Sequence, residues 1–142
     1  MLTLAIIKPD AVAAAHAGKI LAHLEEAGFT VRAARLVRLT TAQAEAFYAV
    51  HRERPFFRSL VTFMTSGPAL ALALERDAAV AVLREAIGAT DPAEAKAGTI
   101  RKLYAQSKER NAIHASDSVD NAVREIGFFF PEAELAELFR SQ

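Results

Sequence analysis

A histidine near the C-terminal end of the chain lies within a run of small and hydrogen-bonding side chains. The run is Asn111-Ala112-Ile113-His114-Ala115-Ser116-Asp117-Ser118. Small neighbours would let a bulky anionic ligand reach the imidazole, and a nearby serine or aspartate could fix its tautomer. These are the conditions under which a histidine acts as a nucleophile. A single histidine in a turn is more often structural, so the rest of the chain must support the catalytic interpretation.

Basic residues fall at the ends of predicted elements or in an irregular stretch, namely Lys8, Arg84, Arg101 and Arg110, and Thr90 adds a hydroxyl. Arginine forks bind paired phosphate oxygens, a lysine supplies a compact charge, and a hydroxyl donates to a further oxygen. The set therefore indicates a polyphosphate site, although each residue alone is typical of a solvated surface. The sequence contains no P-loop, no dinucleotide-binding glycine motif and no protein-kinase signature set.

Aromatic residues supply a possible platform for a base. Tyr48 is followed by Arg54-Pro55-Phe56-Phe57, in a chain with nine phenylalanines. Stacking on a ring needs only a π-face and does not select one base over another. Either phenylalanine could equally fill the core.

Composition excludes several classes of protein. The 142 residues are 52% hydrophobic, enough for one domain with a real core, and the formal net charge is zero. A neutral chain has no global field for nucleic acid, and the absence of cysteine excludes disulfides, thiolate metal sites and cysteine nucleophiles. The N-terminus lacks the pattern of a signal peptide, and no apolar run could cross a bilayer. We therefore expect a soluble cytoplasmic protein.

The hydrophobic pattern predicts the elements that must position these residues. Strands are predicted at 3–7, 29–39, 69–74 and 112–113. Helices are predicted at 11–27, 78–87, from Thr40 or Thr41 to Tyr48, and from Asp117 or Ser118 to about Phe128, and a further segment opens at Pro55. Residues 88–110 show little periodicity, which predicts a long irregular segment that carries function.

This order predicts an α+β, ferredoxin-like βαββαβ fold. A four-stranded antiparallel sheet would be covered by helices packed on one face. In the second strand, one parity is expected to face the core: Phe29, Val31, Ala33, Arg35, Val37 and Leu39.

Six segments together resemble the nucleoside diphosphate kinase family. They are, in order, TLAIIKPDAV (3–12), FYAVHRERPFF (47–57), FMTSGP (63–68), GATDP (88–92), GTIR (98–101) and NAIHASDS (111–118). The resemblance runs from about Thr3 to Phe130 without an obvious insertion. It implies that residues 1–142 form a single domain of this family.

The resemblance implies an activity and its requirements. The γ-phosphoryl group of a nucleoside triphosphate, mainly ATP, would pass to a nucleoside diphosphate through a phosphohistidine, in two half-reactions and with little base selectivity. Mg²⁺ would arrive bound to the nucleotide phosphates rather than in a protein cage, which agrees with the lack of a carboxylate-rich motif. The resemblance also implies a homo-oligomer, a tetramer or hexamer built from dimers, with no nucleic-acid or membrane partner.

Position by position, the resemblance assigns three residues to catalysis. His114 matches the nucleophile, Glu125 the carboxylate that holds it, and Ser116 a hydroxyl beside it. The other matches bind nucleotide, through phosphates, sugar or base: Lys8, Arg84, Thr90, Arg101, Tyr48, Asn111 and Phe56.

Two positions depart from the family pattern. Ala115 replaces the glycine that follows the histidine, which would cost about 1 kcal/mol if that residue has positive φ. Leu103 replaces an aspartate near Arg101. We expect activity to survive because the nucleophile and all phosphate ligands remain. The departures leave open a catalytically weakened paralogue that serves as a nucleotide-binding or interaction module. A nucleic-acid-binding ferredoxin-like domain would need basic charge and aromatic strand motifs that are absent.

Overall fold

The computed structural model describes residues 1–140, so the last two residues of the predicted domain lie outside it. The strands are β1 (Leu2–Ile7), β2 (Thr30–Val37), β3 (Ala69–Glu75) and β4 (Ile113–Ala115). The helices are α1 (Pro9–Ala13), α2 (Ala17–Glu26), α3 (Thr41–Phe47), α4 (Phe57–Met64), α5 (Ala79–Ile87), α6 (Ile100–Tyr104), α7 (Val119–Phe129) and α8 (Glu132–Phe139), with a 3₁₀ turn at Ala49–His51. No helix among these residues is long and apolar enough to cross a membrane.

The four strands form one antiparallel sheet in the order β2-β3-β1-β4, which confirms the predicted ferredoxin-like fold. The central strand β1 pairs with β3 on one side and with β4 on the other. Its register with β4 places Ile6 opposite His114. The predicted fourth strand, 112–113, is therefore displaced toward the C-terminus and contains the histidine.

Helices cover both faces of the sheet, and the expectation of one covered face was wrong. All six residues of β1 are buried. Leu4 and Ile6 belong to the core formed with α3, α4, α7 and α8, whereas Ala5 and Ile7 belong to the core formed with α2 and α5. A strand whose side chains are apolar on both faces contributes to stability only when both faces are buried.

Along strand β2, the alternate residues 29, 31, 33, 35, 37 and 39 do not all face the same side of the sheet, contrary to what the sequence pattern predicts. Its pairing with β3 shifts between Val31 and Ala33, which leaves Arg32 as an extra residue. As a result, Phe29 and Val31 pack in the core on one face, and Ala33 and Val37 pack in the core on the other. Side-chain alternation alone could not reveal a bulge that moves later residues to the opposite face.

The predicted helix at 11–27 is two helices. Ala15 has a φ of 62°, and the amides of Ala15 and His16 donate to the carbonyls of Val12 and Ala11 at 3.1 and 2.9 Å. This pair of bonds is a Schellman ending, in which the left-handed position is usually glycine. An alanine there gave no sign of the break. Pro9, predicted to end the first strand, also begins α1.

The predicted starts of α3 and α7 are confirmed by their N-cap hydrogen bonds. Thr40 accepts from the amide of Gln43 in a capping box before α3, and Ser118 accepts from the amide of Asn121 before α7. The segment at 88–110 was expected to be irregular throughout, but it contains α6, whose N-cap Thr99 accepts from the amide of Lys102.

Gly88 is a point at which the backbone admits no side chain. Its φ is 88° and its ψ is −177°, a region that is essentially restricted to glycine. A Cβ there would lie 2.6 Å from Oγ1 of Thr99, the cap of α6, and that β-branched side chain cannot move without losing the cap.

We expect Gly88→Ala to lower the free energy of unfolding by about 1–3 kcal/mol, with steric overlap adding to backbone strain. Gly98→Ala is the matched control, because Gly98 has a φ of 84° but a methyl group added there would meet no atom within 4 Å, leaving backbone strain alone. Urea denaturation of both variants measures the difference. Equal losses would show that the overlap with Thr99 carries no cost.

Candidate active site

Strand β4 places the three predicted catalytic residues together. His114 is partly buried, and its Nε2 lies 2.8 Å from Oε1 of Glu125. The hydroxyl of Ser116 donates to the same oxygen at 2.7 Å. Helix α7 contributes Glu125, so the strand carrying the histidine and the helix carrying the carboxylate meet at this contact.

The carboxylate of Glu125 fixes the tautomer of His114. Burial raises the pKa of Glu125, but the hydrogen bond and charge of His114 and the hydrogen bond of Ser116 outweigh it, so the pKa is lowered overall. An ionised carboxylate only accepts hydrogen bonds, so Nε2 of the imidazole carries the proton. The lone pair is then on Nδ1, which faces away from Glu125. The imidazole is thus prepared to attack through Nδ1.

Two aromatic rings pack around the imidazole. Phe47 and Tyr48 lie with ring centroids 5.4 and 6.3 Å from that of His114, both in edge arrangements. The Tyr48 hydroxyl is buried with no hydrogen-bond partner among residues 1–140. Burial, followed by the charge of Glu125, raises the pKa of Tyr48, so its hydroxyl stays protonated and can donate to a ligand.

Two arginines are held by the backbone on either side of His114. Arg101 donates to the carbonyls of Ile113 and Gly88 at 2.8 and 3.0 Å, and Arg84 donates to that of Ala115 at 3.5 Å. Burial, followed by the charge of Arg84, lowers the pKa of Arg101 to about 10, so it remains a cation at neutral pH. Two cations held close together without a carboxylate partner at these contacts indicate a binding place for an anion.

Lys8, Asn111 and Thr90 form a second group beside the first. The Lys8 ammonium donates to Oδ1 of Asn111 at 2.8 Å, and Nδ2 of Asn111 donates to the Thr90 carbonyl at 3.3 Å. Burial and then the charge of Arg101 lower the pKa of Lys8 to about 8, against the opposing effect of Asp10 and Glu109. A buried lysine with a lowered pKa is a cation that gains from an arriving phosphate.

Phe56 lies at the rim, outside these contacts. It precedes α4, its ring is 5.4 Å from that of His51, and it is 46% exposed, whereas Phe57 is buried. The structure thus separates a surface ring from a core ring, in agreement with the resemblance, which matches Phe56 rather than Phe57 to the stacking position. Arg110, grouped with the cations in the sequence, lies over the Phe63 ring at 5.2 Å.

The two departures from the family pattern leave the backbone of the site intact. Ala115 pairs with Ala5 in the sheet, and the non-glycine residues with positive φ among those described are Ala15, Ala78 and Ala112. The strain considered for Ala115 therefore does not arise. Leu103 is 54% exposed on α6, two residues and roughly half a turn from the buried Arg101.

Some residues of the site were assigned no role from the sequence. Phe47 packs on the histidine, the Gly88 carbonyl holds Arg101, and Oδ2 of Asp10 accepts from the amide of Ala112 at 3.1 Å. Phe47 and Gly88 each begin one of the recognised motifs, and Asp10 lies within another. Their place in these motifs indicated that they lie near the site, but the contacts that they make depend on the tertiary structure.

The site offers cations and hydroxyls rather than a metal cage. Within residues 1–140 there is no group of three or more His, Cys, Asp or Glu side chains that could hold a metal ion. Such a donor set fits a polyphosphate, with any divalent cation carried by the phosphate oxygens.

Comparisons with known proteins agree with this geometry. The family model described as nucleoside diphosphate kinase matches residues 2–135. A nucleoside diphosphate kinase of Sorangium cellulosum is 58% identical over 134 residues, which cover 94% of this chain and 93% of that protein. One from Halorhodospira halophila is 56% identical over 133 residues, 94% of each chain.

Solved structures give the same result. The nucleoside diphosphate kinase of Aquifex aeolicus superposes with a TM-score of 0.91 at 46% identity, covering 94% of this chain and 96% of that one. The halophilic enzyme of Halobacterium salinarum, in complex with CDP, gives 0.90 at 38% identity, covering 94% and 90%. These relatives favour a phosphotransferase over a weakened paralogue, and the chain belongs to the nucleoside diphosphate kinase family.

Proposed function

We propose that this nucleoside diphosphate kinase works by a ping-pong mechanism through phospho-His114. The observation that carries the proposal is the 2.8 Å contact between Nε2 of His114 and Glu125, which leaves the lone pair on Nδ1. Two arginines bind the carbonyls of the residues on either side of this histidine, Ile113 and Ala115. A covalent intermediate lets donor and acceptor use one site in turn.

In the first half-reaction, Nδ1 of His114 forms a bond to the γ-phosphorus as the bond from that phosphorus to its bridging oxygen breaks. The nucleoside diphosphate leaves with the bonding electrons. The imidazole, which keeps its Nε2 proton, becomes cationic, and the Glu125 carboxylate stabilises that charge. Ser116 holds the carboxylate in place. In the second half-reaction, a terminal oxygen of an acceptor diphosphate attacks the same phosphorus as the Nδ1–P bond breaks, and the bonding electrons return to Nδ1 and restore neutral His114.

Charge neutralisation is the main task of the other residues. Phosphoryl transfer depends on positioning and electrostatic stabilisation more than on covalent chemistry. We assign Arg84, Arg101 and Thr90 to the phosphates, with Lys8 as a buried positive charge. The Tyr48 hydroxyl and Nε of Arg101, which have no hydrogen-bond partner within residues 1–140, would both donate to the nucleotide. Buried donors that lack a partner within the protein are expected where a bound ligand accepts their hydrogen bonds.

The remaining contacts are to the sugar, the base and the metal. Asn111 would bind the ribose, and Phe56 would stack on the base without reading its edge, so that all bases are accepted. Mg²⁺ would be held by the phosphate oxygens and would supply further charge neutralisation, in keeping with the cationic, carboxylate-poor donor set.

We also propose that the domain, 1–142, assembles into a homo-oligomer built from dimers. Strand β2 supports this: it forms one edge of the described sheet, and its Leu36 is 67% exposed. Zero net charge provides no global field for nucleic acid, which supports nucleotides as the partners. We propose a cytoplasmic location for the enzyme. Light scattering of the purified protein should give a tetramer or hexamer, and a monomeric mass would overturn the assembly.

Incubation with Mg²⁺ and γ-³²P-labelled ATP, without acceptor, should place one acid-labile phosphate on His114. Addition of any nucleoside diphosphate should then remove the label and produce labelled triphosphate. We expect His114→Ala to abolish labelling and to lower turnover by several orders of magnitude.

His23→Ala is the matched control, since His23 lies in α2 outside the site and its variant should label normally. A wild-type protein that takes up no label, or a label that survives His114→Ala, would overturn the proposed role of this histidine.

The rate constant kcat/KM should fall as the pH rises above about 8. Lys8 is charged below its pKa of about 8 and neutral above it, so the free enzyme loses the positive charge that meets the phosphates. Because kcat/KM reports the ionisations of the free enzyme, the decline should approach about tenfold per pH unit.

Lys8→Met tests the assignment of this decline. The variant should have a low kcat/KM at every pH, without a fall near pH 8, because no group titrates at that position. A decline of the same shape in both proteins would assign the pH dependence to another group.

A further inference from the structure

A strained turn immediately precedes the strand of the nucleophile. Ala112 has a φ of 73°, and the amide of Ile113 donates to the carbonyl of Asn111 at 2.9 Å. A bond between residues two apart around a central positive φ defines the rarer and more strained kind of γ-turn. Such a conformation in a residue other than glycine persists only when its surroundings impose it.

The turn separates two groups that must be placed together. Asn111, the first residue of the turn, bonds to Lys8, and His114, the residue directly after the turn, contacts Glu125. Relaxation of Ala112 to a negative φ would change the direction of the chain between them. The turn therefore controls how the proposed ribose-binding group and the nucleophile lie relative to each other.

Both polar groups of the Ala112 backbone are bound by the segment that follows β1. The amide of Lys8 donates to the Ala112 carbonyl at 2.8 Å, and the amide of Ala112 donates to Oδ2 of Asp10 at 3.1 Å. The first bond continues the pairing of β1 with β4, whereas the second needs a side chain of one particular length at one position.

Asp10 is placed for this contact by the start of α1. Pro9 occupies the first position of the helix, and Asp10, in its first turn, is 8% exposed. Its other oxygen, Oδ1, is buried without a hydrogen-bond partner among the described residues. A buried carboxylate with one oxygen unsatisfied costs stability, so stability alone does not account for it.

We propose that Asp10 is a positioning residue for phosphoryl transfer: its carboxylate holds the strained turn at Ala112 and thereby aligns Asn111 with His114. The inference rests on the proposed roles of Asn111 and His114. It adds to them a residue that touches neither substrate nor the reacting atoms.

The test is the single-turnover rate of labelling of the full-length protein with Mg²⁺ and γ-³²P-labelled ATP. Asp10→Ala should lower this rate about 10²-fold, the expected effect of a displacement of about 1 Å in reacting groups. Asp10→Asn keeps an acceptor oxygen and should stay within a few-fold of wild type. Equal losses in both variants would show that charge, rather than the hydrogen bond to Ala112, is responsible, and would overturn the proposal.

Rescue provides the second arm. In the Asp10→Ala background, Ala112→Gly removes the cost of the positive φ and should restore the labelling rate at least about tenfold. Ala78→Gly is the matched control, since Ala78 has a φ of 50° at the start of α5, outside the site, and should restore nothing. Rescue by neither substitution, or by both equally, would contradict the alignment role.

Hydrogen exchange of the Ala112 amide reports the contact without turnover. The amide should exchange slowly in the wild-type and Asp10→Asn proteins and faster in the Asp10→Ala protein. If the Asp10→Ala protein does not fold, the Asp10→Leu variant takes its place. A wild-type protein that does not label but protects this amide would refute the proposed catalytic function and retain the contact. If the wild-type protein labels normally, and the Asp10 variants show unchanged amide exchange and an unchanged labelling rate, the role of Asp10 is refuted while the proposed function stands.

Discussion

The antiparallel pairing of β4 with β1 is the constraint on which the site depends. Ile6 lies opposite His114, and the same short strand presents carbonyls of Ile113 and Ala115 to Arg101 and Arg84. A strand of three residues fixes its register only because its neighbour β1 is fully buried in the middle of the sheet. The pairing therefore places both the proposed nucleophile and the carbonyls that hold the proposed phosphate-binding arginines.

The electrostatics of the site follow from the arrangement around that strand. Burial disfavours the charged form of Lys8, and the nearby Arg101 adds repulsion, and these two effects together outweigh the opposing charges of Asp10 and Glu109. On the other side of the imidazole, Glu125 retains its negative charge because His114 and Ser116 donate to it. The histidine thus contacts the carboxylate that fixes its tautomer, and the backbone on either side of it binds the two arginines.

Local strain and burial occur where function would use them. Three features among residues 1–140 are each costly for folding: the left-handed conformation of Ala112, and a Tyr48 hydroxyl and an Asp10 oxygen that have no hydrogen-bond partner. The ring of Tyr48 packs beside that of His114, and Asp10 accepts from the amide of Ala112, two residues before the histidine. The two apolar cores on either face of the sheet supply the stability that offsets these costs. A rigid double-sided core allows a short strand and its preceding turn to hold unfavourable conformations.

The sequence by itself determined the family, the order βαββαβ and the types of residue at the site, because apolar periodicity, helix caps at Thr40 and Ser118 and six ordered motifs are local properties. The bulge after Val31 and the coverage of both sheet faces depended on contacts between distant segments. The break at Ala15 is made by local hydrogen bonds, but an alanine in the left-handed position gave no sign of it. The exposure of Phe56 and the burial of Phe57 agree with the assignment of Phe56 by the resemblance. The contact of Asp10 with Ala112 joins residues 102 positions apart, and only the tertiary structure, by pairing β1 with β4, brings them within hydrogen-bonding distance.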